Sequence, residues 1–394
     1  MEIALVAQQA MTLASDGTGQ AGGTRLLELS RSLAGKGHRV TVYAQRHGTT
    51  ERAKIEPGVT VKYIGSANGQ HGESDLLAQV PAFSRPLHEC LRRDRPDVVH
   101  AMRWTSGLAA LAAVRDLRIP VVQSFDSLNV TERRHHVIAR DAGTERIRLE
   151  PAIGRSASAV LAGSSDEESD LTQLGAPRRS IRVVPCGVDT DEFTPEGPVA
   201  ERAIRPRLVT VADLSEQDVL ATLLHAMAKV PGADLVVAGG PARADLGDDL
   251  DFRRLSKLAD SLGVSGQVTF AGQPSRAALP PLLRSADLVV SLSEHDPTGA
   301  LAVQAMACGT PVIASAVGGQ VDAVIDGTTG ILVPPGRPAL LAQRIRQLLA
   351  HPMMLEAFSV AATDRARSRY SWDRIAHETL AVYDRALDSA AMAA

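Results

Sequence analysis

The residues of this chain best suited to chemistry are glycines at strand-to-helix junctions. Gly22 and Gly23 close the stretch Asp16-Gly-Thr-Gly-Gln-Ala-Gly-Gly23, between an apolar strand and a helical pattern. Lacking side chains, they let backbone N–H groups approach a diphosphate, which the dipole of the following helix also favours. A plain tight turn, which uses glycine anyway, is the competing reading. Gly318 and Gly319 stand at a similar strand-end turn. His100 ends another strand, where it either meets a bound ligand or makes a structural hydrogen bond. His38 follows Gly37 and reads as a helix cap. Met306 and Cys308 read as core, since a buried cysteine behaves as a small hydrophobe. Cys90, Cys186 and Cys308 are too few and too scattered for a disulfide framework or a zinc site, so no metal ligand is assigned.

The elements that must position these residues follow from the periodicity. Ile3–Ala7 reads as a buried strand, Leu26–Leu33 as a helix stopped at Gly37, and Val40–Ala44 as a second strand. That βαβ unit demands a parallel sheet with a right-handed crossover. The rhythm continues through strands at Val98–His100, Pro120–Ser124, Val160–Ala162 and Arg182–Val184, with a helix at Leu108–Val114 and a helical, polar stretch over 130–158. Prolines and charges in 194–206 break it and read as a linker. Alternation then resumes, with strands at Leu208–Val211, Leu235–Ala238, Val268–Ala271, Leu288–Ser291, Val312–Ala314 and Ile331–Val333. The fold class is α/β, two Rossmann-like doubly wound parallel-sheet domains, 1–193 and 207–371. Ligands are expected at the carboxyl ends of the strands, in a cleft between the domains. A final helix, 372–388, is expected to pack back on the first domain.

Composition narrows the class. The chain has 394 residues, 44% of them hydrophobic and 3% aromatic, enough for two cores of aliphatic side chains. A formal charge of −3 argues against a general nucleic-acid binder or a polybasic membrane anchor. The start lacks a basic leader region and no apolar stretch is long enough to span a bilayer, so a cytoplasmic location is expected.

The motifs, in order, resemble the retaining GT-B glycosyltransferases of family 4. They are Ala21-Gly22-Gly23, Gly37-His38, Asp97-Val-Val-His100, Glu145-Arg-Ile-Arg-Leu-Glu150, Val184-Pro-Cys-Gly-Val-Asp189 and Phe193-Thr-Pro195. In the second half come Gly299, Ala305-Met-Ala-Cys-Gly-Thr-Pro-Val-Ile-Ala314, Gly318-Gly319, Gly327-Thr-Thr-Gly330 and Val333-Pro-Pro-Gly336. The match spans nearly the whole chain and is nearest to the branch of mycothiol glycosyltransferases and sucrose-phosphate synthases. The resemblance implies a GT-B fold and a nucleotide-diphosphate sugar as substrate, with no tightly bound cofactor. It also implies that the N–H groups of Gly299, Ala300 and Leu301 touch the donor sugar.

The departures from the family pattern lie at ligand-facing positions. Met102 replaces the second histidine of the strand-end pair begun by His100. Asp126 stands where the family has a histidine near the reacting sugar, and Glu132 where it has a lysine. Asp213 and Asp218 fall on the arginine and lysine that neutralise the donor diphosphate. Asp296 and Gln304 replace the paired glutamates, Gln304 keeping hydrogen bonding toward a ribose. Exchanging two cations for two anions beside a diphosphate costs on the order of a few kcal/mol per contact pair at an effective dielectric of about 20. Compensation is expected from Arg25, Arg103, Arg133, Arg134 or Arg276, whose forks suit phosphate. A divalent ion such as Mg²⁺ bridging Asp213 or Asp218 is the alternative, though the family rarely needs a metal.

The expected function is retaining transfer of a sugar from a GDP or UDP sugar to a small-molecule acceptor. The implied roles are catalytic for His100, Asp126 and Asp296. Gly22, Gly23, Arg25, Asp213, Asp218, Gly299, Ala300, Leu301 and Gln304 would face the donor, and Met102, Arg103, Arg133 and Arg134 the acceptor. Ala- and Arg-rich composition fits an actinobacterial origin, and the departures fit antibiotic or thiol metabolism, including S-glycosylation as in the lincosamide pathway. The alternative is a catalytically inactive homologue serving as a binding partner. No nucleic acid is expected; a homodimer is left open.

Overall fold

The computed structural model describes residues 1–8, 21–46, 52–65, 73–134 and 144–393. The chain divides into two compact units, one formed by Met1–Cys186 with Trp372–Ala394 and the other by Gly187–Ser371. The glycine-rich segment ahead of residue 21 lies outside the described residues.

The first unit runs β1 (Glu2–Ala7), α1 (Ala21–Gly35), β2 (Arg39–Gln45), β3 (Arg52–Glu56), β4 (Val59–Ile64), α2 (Glu73–Asp94), β5 (Val98–Met102) and α3 (Trp104–Ala113). It continues with β6 (Val121–Ser124), α4 (Asn129–Arg134), α5 (Thr144–Ser156), β7 (Ala159–Ala162), α6 (Ser165–Gln173) and β8 (Ile181–Val183). Among the described residues the sheet order is β3-β4-β2-β1-β5-β6-β7-β8, with β3 alone antiparallel to its neighbour β4. Strands β5, β6 and β7 are buried along their whole length, as parallel strands covered by helices on both faces must be. The chain works outward from β1 to β2 and β4, then returns to β5 on the other side. The switch point therefore lies between the carboxyl ends of β1 and β5.

Between β2 and β5 no element is expected from the sequence, yet β3, β4 and α2 lie there. The reason is local. Strand β3 is largely charged, and α2 carries Pro81 and Pro86 in its interior, which weaken a helical signal.

The second unit contains β9 (Arg207–Val211), α7 (Gln217–Met227), β10 (Asp234–Ala238), α8 (Leu250–Ser261), β11 (Val268–Gly272), α9 (Leu279–Arg284) and β12 (Leu288–Ser291). After these come α10 (Ala300–Ala307), β13 (Val312–Ser315), α11 (Gly318–Ala323), β14 (Gly330–Val333), α12 (Pro338–Leu349) and α13 (Pro352–Tyr370). Its sheet, β11-β10-β9-β12-β13-β14, is parallel throughout, with the switch point between β9 and β12. Met306 and Cys308 are buried in its core, and burial pushes the Cys308 thiol up to about 12, as suits an inert structural cysteine.

The last helix, α14 (Trp372–Ala393), belongs to the first unit, where Ile375, Ala376, Val382 and Tyr383 share a core with Leu5, Leu29, Val40 and Val122. The 194–206 segment is not a free linker. Arg284 donates to the carbonyls of Thr194 (3.0 Å) and Pro198 (2.8 Å), Ala200 N donates to Pro281 O (3.0 Å), and Arg202 pairs with Asp287 (2.8 Å). Its exposed backbone finds partners on the second unit. The chain changes unit before it, and Val188 and Phe193 already lie in the second unit's core.

Candidate active site

At the carboxyl edge of the first unit, Gly22 and Gly23 fall in the first turn of α1. Two turns carry non-glycine residues in the left-handed region. Arg103 (φ 71°) follows β5, and Asp126 (φ 65°) follows β6. Such conformations cost on the order of 1–3 kcal/mol and cluster where structure is set for a ligand. Asp126 accepts a hydrogen bond from Arg25 Nη1 at 2.9 Å, an ion pair that fastens the start of α1 to the β6 turn. Arg25 is thus spent on Asp126 rather than on a diphosphate, and the burial of its guanidinium is more than offset by that carboxylate, with smaller help from Cys186 and Glu167.

His100 takes the structural option of the two readings. It is 1% exposed, with Nδ1 2.7 Å from Tyr383 Oη and Nε2 2.9 Å from Ser124 Oγ, so both ring nitrogens are engaged inside the core. Met102 is buried in the core that also holds Tyr383. Burial, with Arg25 nearby, pushes the His100 imidazole down to about 3. Because its folded value lies below the ordinary 6.5, the unfolded chain binds the extra proton between those limits. Stability is then lost as pH falls from about 6.5 toward 3, by about 1.4 kcal/mol per pH unit. In denaturant titrations between pH 4 and 6, His100→Asn is expected to lose that contribution to the slope. An unchanged slope would contradict the assignment.

Arg134 and Arg146 of this edge are also paired. Arg134 binds Asp170, which also accepts from Thr131 Oγ1 at 2.6 Å. Arg146 reaches Glu150 through Nε and Glu132 through Nη1, both at 2.7 Å, and the Ser127 carbonyl at 3.1 Å. Arg133 is half-buried on α4, while Arg103 is exposed.

In the second unit the loop between β12 and α10 is built around Asp296. Its Oδ1 accepts from Thr298 N (3.0 Å) and Gly299 N (2.8 Å), and Oδ2 accepts from Gln320 Nε2 (2.9 Å). The Asp296 carbonyl accepts from Gly319 N at 2.8 Å. Asp296 therefore shapes the turn instead of standing free as a catalytic carboxylate. The N–H of Gly299 goes to Asp296 and that of Ala300 to Thr298 Oγ1, while Leu301 and Gln304 lie half-buried on α10. A Cβ on Gly299 would come within 2.9 Å of the Gly319 carbonyl oxygen, so glycine is needed for this close approach.

Asp213 is exposed and closes a turn by accepting from Ser215 N at 2.9 Å. Asp218 lies in the first turn of α7, where the helix dipole suits an anion. This edge is acidic: the half-buried Glu216 carboxyl is raised by burial and then by Asp213, Asp296 and Glu294. Arg276, offered above as a clamp, is bonded instead to Glu192. Asp218, Glu294 and Arg337 line a cavity of about 130 Å³, together with Leu292 and Ser293 after β12, Ser315 ending β13, Val333 ending β14 and Pro334–Gly336 after it. The cavity thus sits at strand carboxyl ends.

Comparison with known proteins settles the ancestry. Residues 22–192 match the model of Glycosyltransferase Family 4, and 199–365 that of Glycosyl transferases group 1. The D-inositol 3-phosphate glycosyltransferase of Mycolicibacterium smegmatis is 32% identical over 98% of this chain and 91% of its own. That of Mycobacterium tuberculosis strain H37Ra is 33% identical over 98% and 83%. This chain belongs to the GT-B glycosyltransferases. Among solved structures, sucrose-phosphate synthase from Thermosynechococcus elongatus superposes with a TM-score of 0.84 at 25% identity, covering 98% of this chain and 99% of that one. Anabaena HepE in complex with UDP and glucose gives 0.74 at 19%, with the same coverage, and shows the fold alone.

Several residues of this glycosyltransferase that matter at the two edges were not singled out by sequence. Gln8, Glu167, Gln320 and Arg337 carry no local motif. Gly239 and Gly240 did carry one, a Gly-Gly-Pro turn after β10. A Cβ on Gly239 would lie 2.0 Å from the Ala212 carbonyl oxygen, beside the Asp213 turn. Among the described residues, no group of three His, Cys, Asp or Glu is placed to hold a metal ion, and no helix is long and apolar enough to cross a membrane.

Proposed function

We propose that the protein transfers a sugar with retention from a UDP or GDP sugar to a small-molecule acceptor. The observation that carries this is the cavity at the carboxyl ends of β12, β13 and β14, adjoining the Asp296–Gly299 turn. In this reading the cavity, too small for the whole nucleotide, takes one part of the nucleoside diphosphate, with Arg337 as its cation and Asp218 in its lining. The C1–O bond to the diphosphate breaks, and the acceptor oxygen bonds C1 on the same face. The acceptor proton passes to the leaving diphosphate. Little acid–base work falls to side chains, which accords with the internal bonding of His100 and Asp296. Alignment and charge stabilisation are the protein's share.

The relatives are named for D-inositol 3-phosphate, a phosphorylated acceptor. That acceptor is not carried over, because the guanidinium groups of Arg25, Arg134 and Arg146 are paired within the first unit. The same pairing is what favours the second reading, a catalytically silent homologue that binds a partner.

A thermal-shift panel of UDP, GDP, ADP and their sugars, with and without Mg²⁺, separates the two. UDP or GDP at about 100 times its Kd is expected to add about 2.7 kcal/mol of stability, read as a rise of several degrees. Arg337→Ala should reduce that rise. No shift with any nucleotide would favour the silent homologue.

A further inference from the structure

We propose that Gln320 is a positioning residue of the cavity wall: its one amide fastens both ends of the loop 292–295 and so sets how that loop meets the nucleotide. This rests on the reading that the cavity takes part of a nucleoside diphosphate.

Leu292, Ser293 and Glu294 line the cavity. The loop that carries them is bounded by Ser291, the last residue of β12, and by Asp296. Gln320 stands on α11 and is 1% exposed. Its Nε2 donates to Ser291 Oγ at 3.0 Å and to Asp296 Oδ2 at 2.9 Å. Both hydrogens of the amide are thereby used, one at each end of the loop. Chemistry fixes the orientation, because a carboxylate offers only lone pairs and the amide nitrogen must face it.

The loop is tied internally as well. Ser293 N donates to Oγ of Ser315, another lining residue, at 3.1 Å, and Ser293 Oγ donates to the His295 carbonyl at 2.8 Å. Gly319 N, donating to the Asp296 carbonyl, brings α11 against one end of the loop. Gln320 is the side chain that extends this contact across to Ser291.

Stability alone is a poor reason for the amide. Its Oε1 is buried with no partner, and an unpaired buried acceptor offsets much of what two donated bonds contribute. An apolar side chain of similar size fills the space without that cost, but it leaves the two ends of the loop independent. A carboxyl in its place meets Asp296 at contact distance, where two such groups share a proton instead of both ionising.

The test uses the full chain with UDP as probe, read by calorimetry well below Tm. Gln320→Leu is expected to raise the UDP Kd about tenfold, with little change in Tm. For Gln320→Glu, the ratio of variant to wild-type Kd is expected to be about tenfold at pH 8 and to fall to about twofold at pH 5.5, where the introduced carboxyl is protonated and donates to Asp296. Taking the ratio cancels the titration of UDP itself. A lowered Tm with unchanged Kd in Gln320→Leu, or a ratio that does not vary with pH in Gln320→Glu, is the mark of a merely structural role and would overturn the proposal. If those variants do not fold, Ser291→Ala removes one end of the bridge and is expected to raise Kd about threefold; an unchanged Kd overturns it equally. Absence of UDP binding to wild type instead retires the nucleotide reading. Hydrogen exchange then decides: Gln320→Leu is expected to speed exchange over 292–299 about tenfold while β9 and β10 keep wild-type rates, and equal rates throughout would overturn the proposal.

Discussion

Arg146→Ala is expected to destabilise the first unit by about 3–5 kcal/mol, because it leaves the buried Glu150 and the half-buried Glu132 without their cation. Arg146 is 4% exposed and Glu150 1%, and each carboxylate is bonded to the guanidinium at 2.7 Å. Burial already pushes the Glu150 carboxyl up to about 7 against the pull of Arg146. With the guanidinium gone, Glu150 protonates and Asn129 N keeps only a neutral acceptor in place of the carboxylate it now meets at 2.9 Å. The Ser127 carbonyl also loses the Arg146 contact at 3.1 Å, so the turn carrying Asp126 should loosen. Urea unfolding at pH 7.5 measures the loss. Arg146→Lys should recover only part of it, since an ammonium cannot reach three acceptors in the geometry of a planar fork. A cost below about 1 kcal/mol for the alanine variant would show that the triad is not a buried unit.

Gly318→Ala is the second large effect, placed in the other unit. Gly318 has φ 47°, and a Cβ there would lie 2.2 Å from the Asp296 carbonyl oxygen. That oxygen has little freedom to retreat, because it accepts from Gly319 N at 2.8 Å, and the Asp296 side chain is tied to Thr298, Gly299 and Gln320. The clash adds to a left-handed conformation that alone costs a residue with Cβ about 1–2 kcal/mol. The sum expected is about 3 kcal/mol or more, with loss of the UDP shift, because the turn beside the cavity must open. Gly327→Ala serves as the control. Its φ is 71° but nothing lies within 4 Å of the added Cβ, so only the conformational cost applies. Equal Tm losses for the two variants would exclude the steric argument.

The folding pattern was legible because it is local. Buried strands such as Val98–Met102 are runs of apolar neighbours, helix stops such as Gly37 follow their helices directly, and turn glycines mark strand ends. The glycine turn at 318–319 is legible as a strand-end feature because it directly follows β13, although the need for glycine there comes from the Asp296 carbonyl, distant in sequence. Where local signals were weak, as in the charged β3 and the proline-bearing α2, no element was evident although both are formed.

The state of each site residue was decided by partners distant in sequence. Arg25 pairs with a carboxylate 101 positions away and His100 bonds a tyrosine 283 positions away, so neither bond leaves a periodic trace. Sequence by itself determined the α/β alternation, the family and the unusual acidity at Asp126, Asp213 and Asp218. Tertiary structure alone decided that Arg25, Arg134 and Arg146 are neutralised, that His100 and Asp296 are bonded internally, and that Gln320 bridges Ser291 and Asp296. The physical reason is range: backbone conformation is set by neighbours within a few residues, whereas charge pairing and burial depend on which segments the sheet brings side by side.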